Sequence, residues 1–211
     1  MTFDLSQTEK PVSRAYLADC MDFMATVPDG FFELAIVDPE FGIGIGNSPR
    51  LVTDKGFEAK AWDNKPINKN YFIELFRISK DQIIWGGNYY ELPANKHCII
   101  WDKKQPEEFS FGMFDYAWTS FDGSNKLFRY SVQNEKDKIH PTQKPVQLYK
   151  WLLRNYAKEG DKIFDSHLGS QSSRIACWDG GFDFWGCELD PDYYRDGCKR
   201  FDNHIKQLKL L

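Results

Sequence analysis

Histidine and cysteine are scarce in this 211-residue chain, and neither has the spacing of a metal site. The four histidines (His97, His140, His167, His204) and five cysteines (Cys20, Cys98, Cys177, Cys187, Cys198) form no C-x-x-C and no ligand pattern, so zinc is not expected. An odd number of widely spaced cysteines also argues against a disulfide framework and for reduced, mostly buried thiols. No apolar run of about 18 residues occurs, so no membrane span is expected. The opening MTFDLSQTEKPVSR lacks the apolar stretch of a secretory leader, so a cytoplasmic location is expected. There is no internal repeat and no low-complexity tract. Positive charge is not in excess either: 27 Lys and Arg stand against 31 Asp and Glu, a net charge of −4. That argues against nucleic-acid binding through bulk charge, although a phosphate backbone needs only a local basic surface. Lys96, Lys103, Lys104, Lys126, Arg129, Lys136, Lys138, Lys144, Lys150 and Arg154 gather in the middle of the chain. Acids interleave with them, so a phosphate-binding face and an ordinary solvated surface are both open readings.

What the chain does have is apolar and aromatic residues, 42% and 16% of the total, enough to bury the core of one domain. Strand-like runs alternate with helix-like ones, the pattern of an α/β fold with a mainly parallel sheet. The clearest strands are Leu34–Asp38, Gln82–Trp85, Cys98–Trp101, Lys162–Asp165 and Phe184–Glu188, with shorter ones near Ala117–Phe121 and Leu127–Tyr130. Helical periodicity runs from Asn68 to Ser79 (Tyr71, Leu75, Ile78) and from Gln143 to Ala157 (Val146, Tyr149, Leu153, Tyr156). It is clearest in the last segment, through Tyr194, Cys198, Phe201, Ile205 and Leu208. Asp190 can cap that helix, and Pro191 suits its first turn. Gly42 to Pro66 has no period and reads as a long mobile loop.

Four segments can carry chemistry. Asp38-Pro39-Glu40-Phe41 directly follows a strand. An exocyclic base amine is a poor nucleophile because its lone pair is delocalised into the ring. A carboxylate and a rigid backbone carbonyl that both accept from it, beside an aromatic ring that stacks on the base, would turn that lone pair outward. A plain turn is the competing reading. Phe164 to Ser173 (FDSHLGSQSS) reads as strand, glycine turn and helix N-terminus, which suits a charged ligand or is an ordinary connection. In Gly186-Cys187-Glu188-Leu189-Asp190, an acid lies about 20 residues beyond that turn, where nucleotide-binding folds hold ribose hydroxyls. Glu188 is the first choice and Asp190 the second. His140-Pro141-Thr142-Gln143-Lys144-Pro145 reads as a helix start with Thr142 as the cap and 143–145 as the first turn; a lysine there could also meet a carboxylate. Gly42-Ile43-Gly44-Ile45-Gly46 has the wrong spacing for a dinucleotide fingerprint. Trp85 to Tyr90 (WGGNYY) either lines a base pocket or is a glycine turn between core aromatics.

Together, in the order DPEF, WGGNYY, IIWDKK, HPTQKP, FDSHLGS, GCELD, these segments resemble the β-class amino-methyltransferases of DNA over most of the chain. The chain is also similar to small adenine-specific enzymes of bacteriophages and mobile elements. The resemblance implies a single Rossmann-like, S-adenosylmethionine-dependent methyltransferase domain over 1–211, with circularly permuted motif order and a small target-recognition insertion around 103–138. It implies duplex DNA as substrate, by base flipping, and adenine N6 as target, because the first catalytic position is Asp rather than Ser. Asp38, Pro39 and Phe41 fall on the catalytic positions. Asp165, Ser166, His167, Gly169 and Ser170 fall on the loop around the cofactor's methionine, and Glu188 on its ribose. Thr142 and Lys144 fall near its carboxylate, and Asp19 and Cys20 near its adenine. So short a recognition region implies a short target site or a homodimer. Glu40 departs from the family's second proline, and His167 from a common phenylalanine. Methylation of cytosine N4, and a binder disabled by Glu40, are the alternatives.

Overall fold

The computed structural model describes residues 2–8, 11–49, 57–108, 112–135 and 138–208. In chain order the elements are β1 (Ser13–Leu17), α1 (Cys20–Met24), β2 (Phe32–Val37), α2 (Lys69–Ile78), β3 (Ser79–Trp85), β4 (Cys98–Asp102) and β5 (Phe114–Thr119). They continue with β6 (Lys126–Arg129), α3 (Val146–Tyr156), β7 (Lys162–Asp165), α4 (Ser172–Gly180), β8 (Asp183–Glu188) and α5 (Pro191–Leu208). The strands form one eight-stranded sheet in the order β1-β8-β7-β2-β3-β5-β4-β6. All neighbours pair in parallel except β5, which is antiparallel to both β3 and β4. The expected mainly parallel α/β sheet is the one observed.

The central strands are apolar along their whole length because both their faces are covered. In β2, Ala35 and Val37 pack on one side with Tyr71 and Leu75 of α2 and Phe23 of α1. Leu34 and Ile36 pack on the other with Leu148 and Leu152 of α3 and Ala176 of α4. Rings fill the first layer: Phe32 stacks on Phe164 with centroids 4.9 Å apart, and Phe164 on Phe23 at 5.5 Å.

From β2 the chain moves outward to β3, whereas β7 and β8 return on its other side. The strand order therefore reverses between β2 and β7, and in open parallel sheets the ligand crevice lies at the carboxyl ends of the strands at that point. Asp38 just follows β2, Asp165 ends β7 and Glu188 ends β8.

Two sequence expectations need correction. Thr142 does not cap a helix, and 143–145 are not its first turn. Pro145 is extended (φ −69°, ψ 144°) and is itself the residue before α3, which starts at Val146 without a side-chain cap. The proline ring bars the preceding residue from the helical region, so Lys144 is also non-helical. The segment Gly42 to Pro66, expected to be mobile, is tied down where it is described. Buried Asp63 accepts the backbone N–H of Gly42 and of Ile45, both at 2.9 Å, and Phe41 bridges to Pro66. Residues 50–56 of that segment lie outside the described residues. Asp190 does cap α5, accepting from Asp192 N and Tyr193 N. Within 103–138, β5 and β6 are strands of the central sheet rather than an appendage to it.

Candidate active site

At the end of β2 the Asp38 carboxylate is shared between a partner and open space. Its Oδ2 accepts from the ammonium of Lys144, whose side chain is 5% exposed; its Oδ1 is buried and accepts no hydrogen bond from the described residues. Lys144 also stands 4.0 Å from Asp115 Oδ2 and 5.3 Å from the centre of the Trp85 ring, and Asp115 binds Lys103 at 2.6 Å. A row of alternating charges (Asp38, Lys144, Asp115, Lys103) thus lines the wall. The extended backbone before Pro145 is what frees Lys144 to reach Asp38.

The next residues are fixed by β3 and its turn. Tyr90 donates its hydroxyl to the carbonyl of Pro39 at 2.9 Å and to that of Glu40 at 3.2 Å. Burial raises the Tyr90 phenol above its ordinary range, so it stays a donor. The Phe41 ring stacks on Tyr89 at 4.9 Å and 13°. Its other neighbour is Gly86, at φ 70°, where a Cβ would come within 2.1 Å of the Phe41 ring. A glycine is required there if the aromatic wall is to close.

Across the crevice, Asp165 is buried; burial pushes it up to about 7 despite hydrogen bonds from Ser173 Oγ (2.5 Å) and the His167 N–H (3.1 Å). Ser166 Oγ lies 2.6 Å from Tyr71 Oη and 2.7 Å from His167 Nδ1. The loop then turns at Gly169 (φ 47°), whose N–H donates to Glu188 Oε2 at 2.7 Å, while Glu188 Oε1 accepts from Asp190 N at 2.9 Å. Burial raises the Glu188 carboxyl. Ser170 offers its carbonyl to Arg200 at 2.7 Å. Asp19 caps α1 through Met21 N, with Cys20 buried behind it. Thr142 leans on His140, which burial lowers to about 3 and which sits between the rings of Trp62 and Tyr193.

These groups enclose one cavity of about 1120 Å³, at the upper end of or beyond the ~300–1,000 Å³ of ordinary ligand sites. Asp19, Cys20, Asp38, Pro39, Phe41, Thr142, Lys144, Ser166, His167, Gly169, Ser170 and Glu188 all line it, and Asp165 supports it from behind. Its lining combines the acids Asp19, Asp38 and Glu188 and the turn before α4 with the rings of Phe41, Tyr89, Trp101 and Phe114. The space and the two chemistries suit a polar, positively charged ligand beside a flat ring. Tyr71, Tyr90, Asp63 and the Glu40–His167 contact were not singled out from sequence. Each acts through a partner far along the chain, and no local pattern marks it.

Four residues of the central basic cluster are neutralised by acids, and a fifth is hydrogen-bonded. Lys103 pairs with Asp115, Arg129 with Asp102, Lys144 with Asp38 and Lys150 with Asp179, and Lys126 donates to Asn155. Of the two readings left open by sequence, the solvated mixed surface describes Arg129 and Lys150, whereas Lys144 and Lys103 line the cavity wall. Lys136 lies outside the described residues. Among the described residues no helix is long and apolar enough to cross a membrane.

Comparison with known proteins places this geometry in context. Residues 50–199 match the sequence model of the N6_N4_Mtase family, described as DNA methylase; the match starts after the Asp38 segment. YubD of Escherichia coli (strain K12), a candidate methylase by its name, is 21% identical over 210 residues, covering 90% of each chain. Among solved structures, PvuII DNA methyltransferase (cytosine-N4-specific) superposes with a TM-score of 0.63 at 12% identity, covering 94% of both chains. TTHA0409 of Thermus thermophilus, a candidate DNA modification methylase, gives 0.60 at 18% identity, covering 92% of this chain and 96% of its own. M1.HpyAVI, solved as its complex with S-adenosylmethionine, gives 0.59 at 16%, covering 90% and 98%. Identities this low establish the shared fold, while the family match spans most of the sequence, and with it this chain belongs to the N6_N4_Mtase family of DNA methylases.

Proposed function

We propose that this protein transfers the methyl group of S-adenosylmethionine to the N6 amine of adenine in duplex DNA, with the target base turned out of the helix. The observation that carries the reading is the unshared Oδ1 of Asp38, buried at the mouth of β2 beside the Phe41–Tyr89 stack. Asp38 accepts one N–H of the amine at that oxygen. The Pro39 carbonyl, which keeps a second lone pair after accepting from Tyr90, takes the other. The nitrogen lone pair is thereby turned out of conjugation. The aromatic wall of Phe41 and Tyr89 packs against the base. S-adenosylmethionine supplies an electrophilic methyl on a positively charged sulfur. Ser166, His167, Gly169, Ser170 and Glu188 would hold it, with Asp19 and Cys20 at its adenine end. Positioning and a dry, preorganised electrostatic site supply most of the acceleration. Asp at position 38 favours adenine over cytosine.

The test is transfer of labelled methyl to mixed-sequence duplex DNA, followed by digestion to nucleosides. Label in N6-methyladenine is expected. Label in N4-methylcytosine would move the target, and the absence of label in any nucleoside with cofactor bound would overturn the enzymatic reading.

Lys144 has a separable part. Its ammonium holds one carboxylate oxygen of Asp38 and so orients the other. Lys144→Met should slow transfer by about 10- to 100-fold at saturating cofactor, because the Asp38 carboxylate loses the donor that orients it. An unchanged single-turnover rate would rule this out.

A further inference from the structure

We infer that Glu40 and His167 act as one positioning unit, a charge-paired clamp that fixes the loop carrying Asp38 to the loop that wraps the cofactor; it rests on the proposed cofactor reading for its consequence, though not for its geometry. Glu40 follows Asp38 by two residues and His167 follows Asp165 by two, so the pair joins the loops that leave the neighbouring strands β2 and β7. His167 Nε2 lies 3.2 Å from Glu40 Oε2, and the two side chains are 18% and 22% exposed. The other ring nitrogen, Nδ1, meets Ser166 Oγ at 2.7 Å, and Ser166 in turn meets Tyr71 of α2 at 2.6 Å. Nδ1 thus makes a hydrogen bond with Ser166, while Nε2 and Glu40 Oε2 meet as an ion pair that falls short of hydrogen-bond geometry, so the pairing is one of charge.

The surroundings select that state. Around His167 stand Cys20 of α1, Tyr71 of α2, Asp165 of β7, Glu188 at the end of β8, and Glu40. Burial opposes charging the imidazole, but Glu40 and Cys20 outweigh it and hold His167 well above its ordinary range. Burial likewise opposes ionising Glu40, and His167 reverses the balance, leaving the carboxyl below its ordinary range. The Glu40 charge is thus matched inside the wall and is not presented alone to a substrate amine or to phosphates. A proline at position 40 would make the turn rigid by itself. Here the rigidity comes from Tyr90, which holds two carbonyls of the turn, and from His167, which holds the Glu40 side chain.

Removing one member of a buried ion pair strands the other, whereas removing both is far milder. Glu40→Gln, His167→Phe and the double variant make the cycle. Each single change is expected to raise the dissociation constant for S-adenosylmethionine by about tenfold, seen also as a higher KM with kcat at saturation little changed. The double variant should lose clearly less affinity than the two single losses combined, a non-additivity that a pair of independent structural residues would not give. In the wild type the His167 imidazole, followed by NMR, should remain protonated through neutral pH, and in Glu40→Gln it should lose its proton at lower pH. Additive effects on affinity, or a Glu40→Gln variant that transfers methyl faster than the wild type, would overturn the clamp. A wild type that does not bind S-adenosylmethionine would fail the cofactor reading instead. The imidazole titration and a thermal-unfolding cycle on the same four proteins would still decide the clamp.

Discussion

Asp38→Ala is expected to lower methyl transfer at saturating cofactor by about a thousandfold or more, while changing affinity for S-adenosylmethionine by less than about fivefold. The asymmetry follows from what the two carboxylate oxygens do. Oδ2 is engaged by Lys144, whereas Oδ1 has no partner among the described residues and is left to accept from a substrate N–H. An amine conjugated with a purine ring has no available lone pair until such an acceptor pulls its hydrogens out of plane. Loss of Asp38 thus removes an interaction made most strongly in the transition state, which lowers kcat rather than cofactor binding. The structural damage is limited, because the stranded Lys144 ammonium already lies 4.0 Å from Asp115 and can shift onto it. Asp38→Asn keeps one carbonyl oxygen but lacks the charge and can direct its amide at Lys144, a donor facing a donor; it should fall between the two. Single-turnover transfer with labelled cofactor, beside calorimetric titration, separates the steps. An Asp38→Ala protein with near-normal turnover would remove Asp38 from the chemistry.

Local order made much of this arrangement legible in the sequence, and long-range pairing hid the rest. Lys162–Asp165 and Phe184–Glu188 are apolar runs that end in an acid, a signal carried wholly within each segment, and both are strands at nearly those bounds. The first strand, Ser13–Leu17, was not foreseen. It is an edge strand of only partly buried residues, held by pairing with β8 some 170 residues away, and its own pattern shows neither alternation nor an apolar run. The five-residue α1 is likewise too short to show a period. At His140 to Pro145 the residue types point to a helix start at Thr142, but the constraint that Pro145 imposes on Lys144 decides where α3 begins. The site shows the same division. The residue types at the strand ends announced carboxylates and a glycine turn, but a sequence does not reveal that the Lys144 ammonium meets Asp38, that Tyr90 holds the Pro39 carbonyl, or that Glu40 finds His167. Those partners sit 106, 51 and 127 positions apart in the numbering, and only the reversal of strand order between β2 and β7 brings them to one crevice.

Glu188→Ala carries the second large effect, on the cofactor rather than on the chemistry. It is expected to weaken S-adenosylmethionine binding by about a hundredfold, with transfer at saturating cofactor within a few-fold of the wild type. Glu188 uses both oxygens to order the crevice: Oε2 fixes the Gly169 turn and Oε1 the Asp190 N–H at the entry to α5. Charge-assisted bonds of this kind are the strong ones, and their loss releases the turn before α4 together with the acid proposed to meet the ribose. Glutamine should not rescue fully, because its amide offers one acceptor where two N–H groups require two. The wild type should also respond to acid in a defined direction. Burial raises the Glu188 carboxyl, so it takes up a proton at a higher pH than an exposed glutamate would. A protonated carboxyl must turn a hydroxyl toward one of the two N–H donors, so cofactor affinity should fall as pH drops, beginning above the ordinary glutamate range near 4.3. The Glu188→Ala protein should lose that acid limb as well as the affinity. Calorimetric titration of both proteins from about pH 4.5 to 8 reads the two effects together. Wild-type affinity in the variant at neutral pH would remove Glu188 from the cofactor site, and an acid limb that persists in the variant would assign it to another carboxyl, with Asp165, buried behind the same turn and raised to about 7, as the next to substitute.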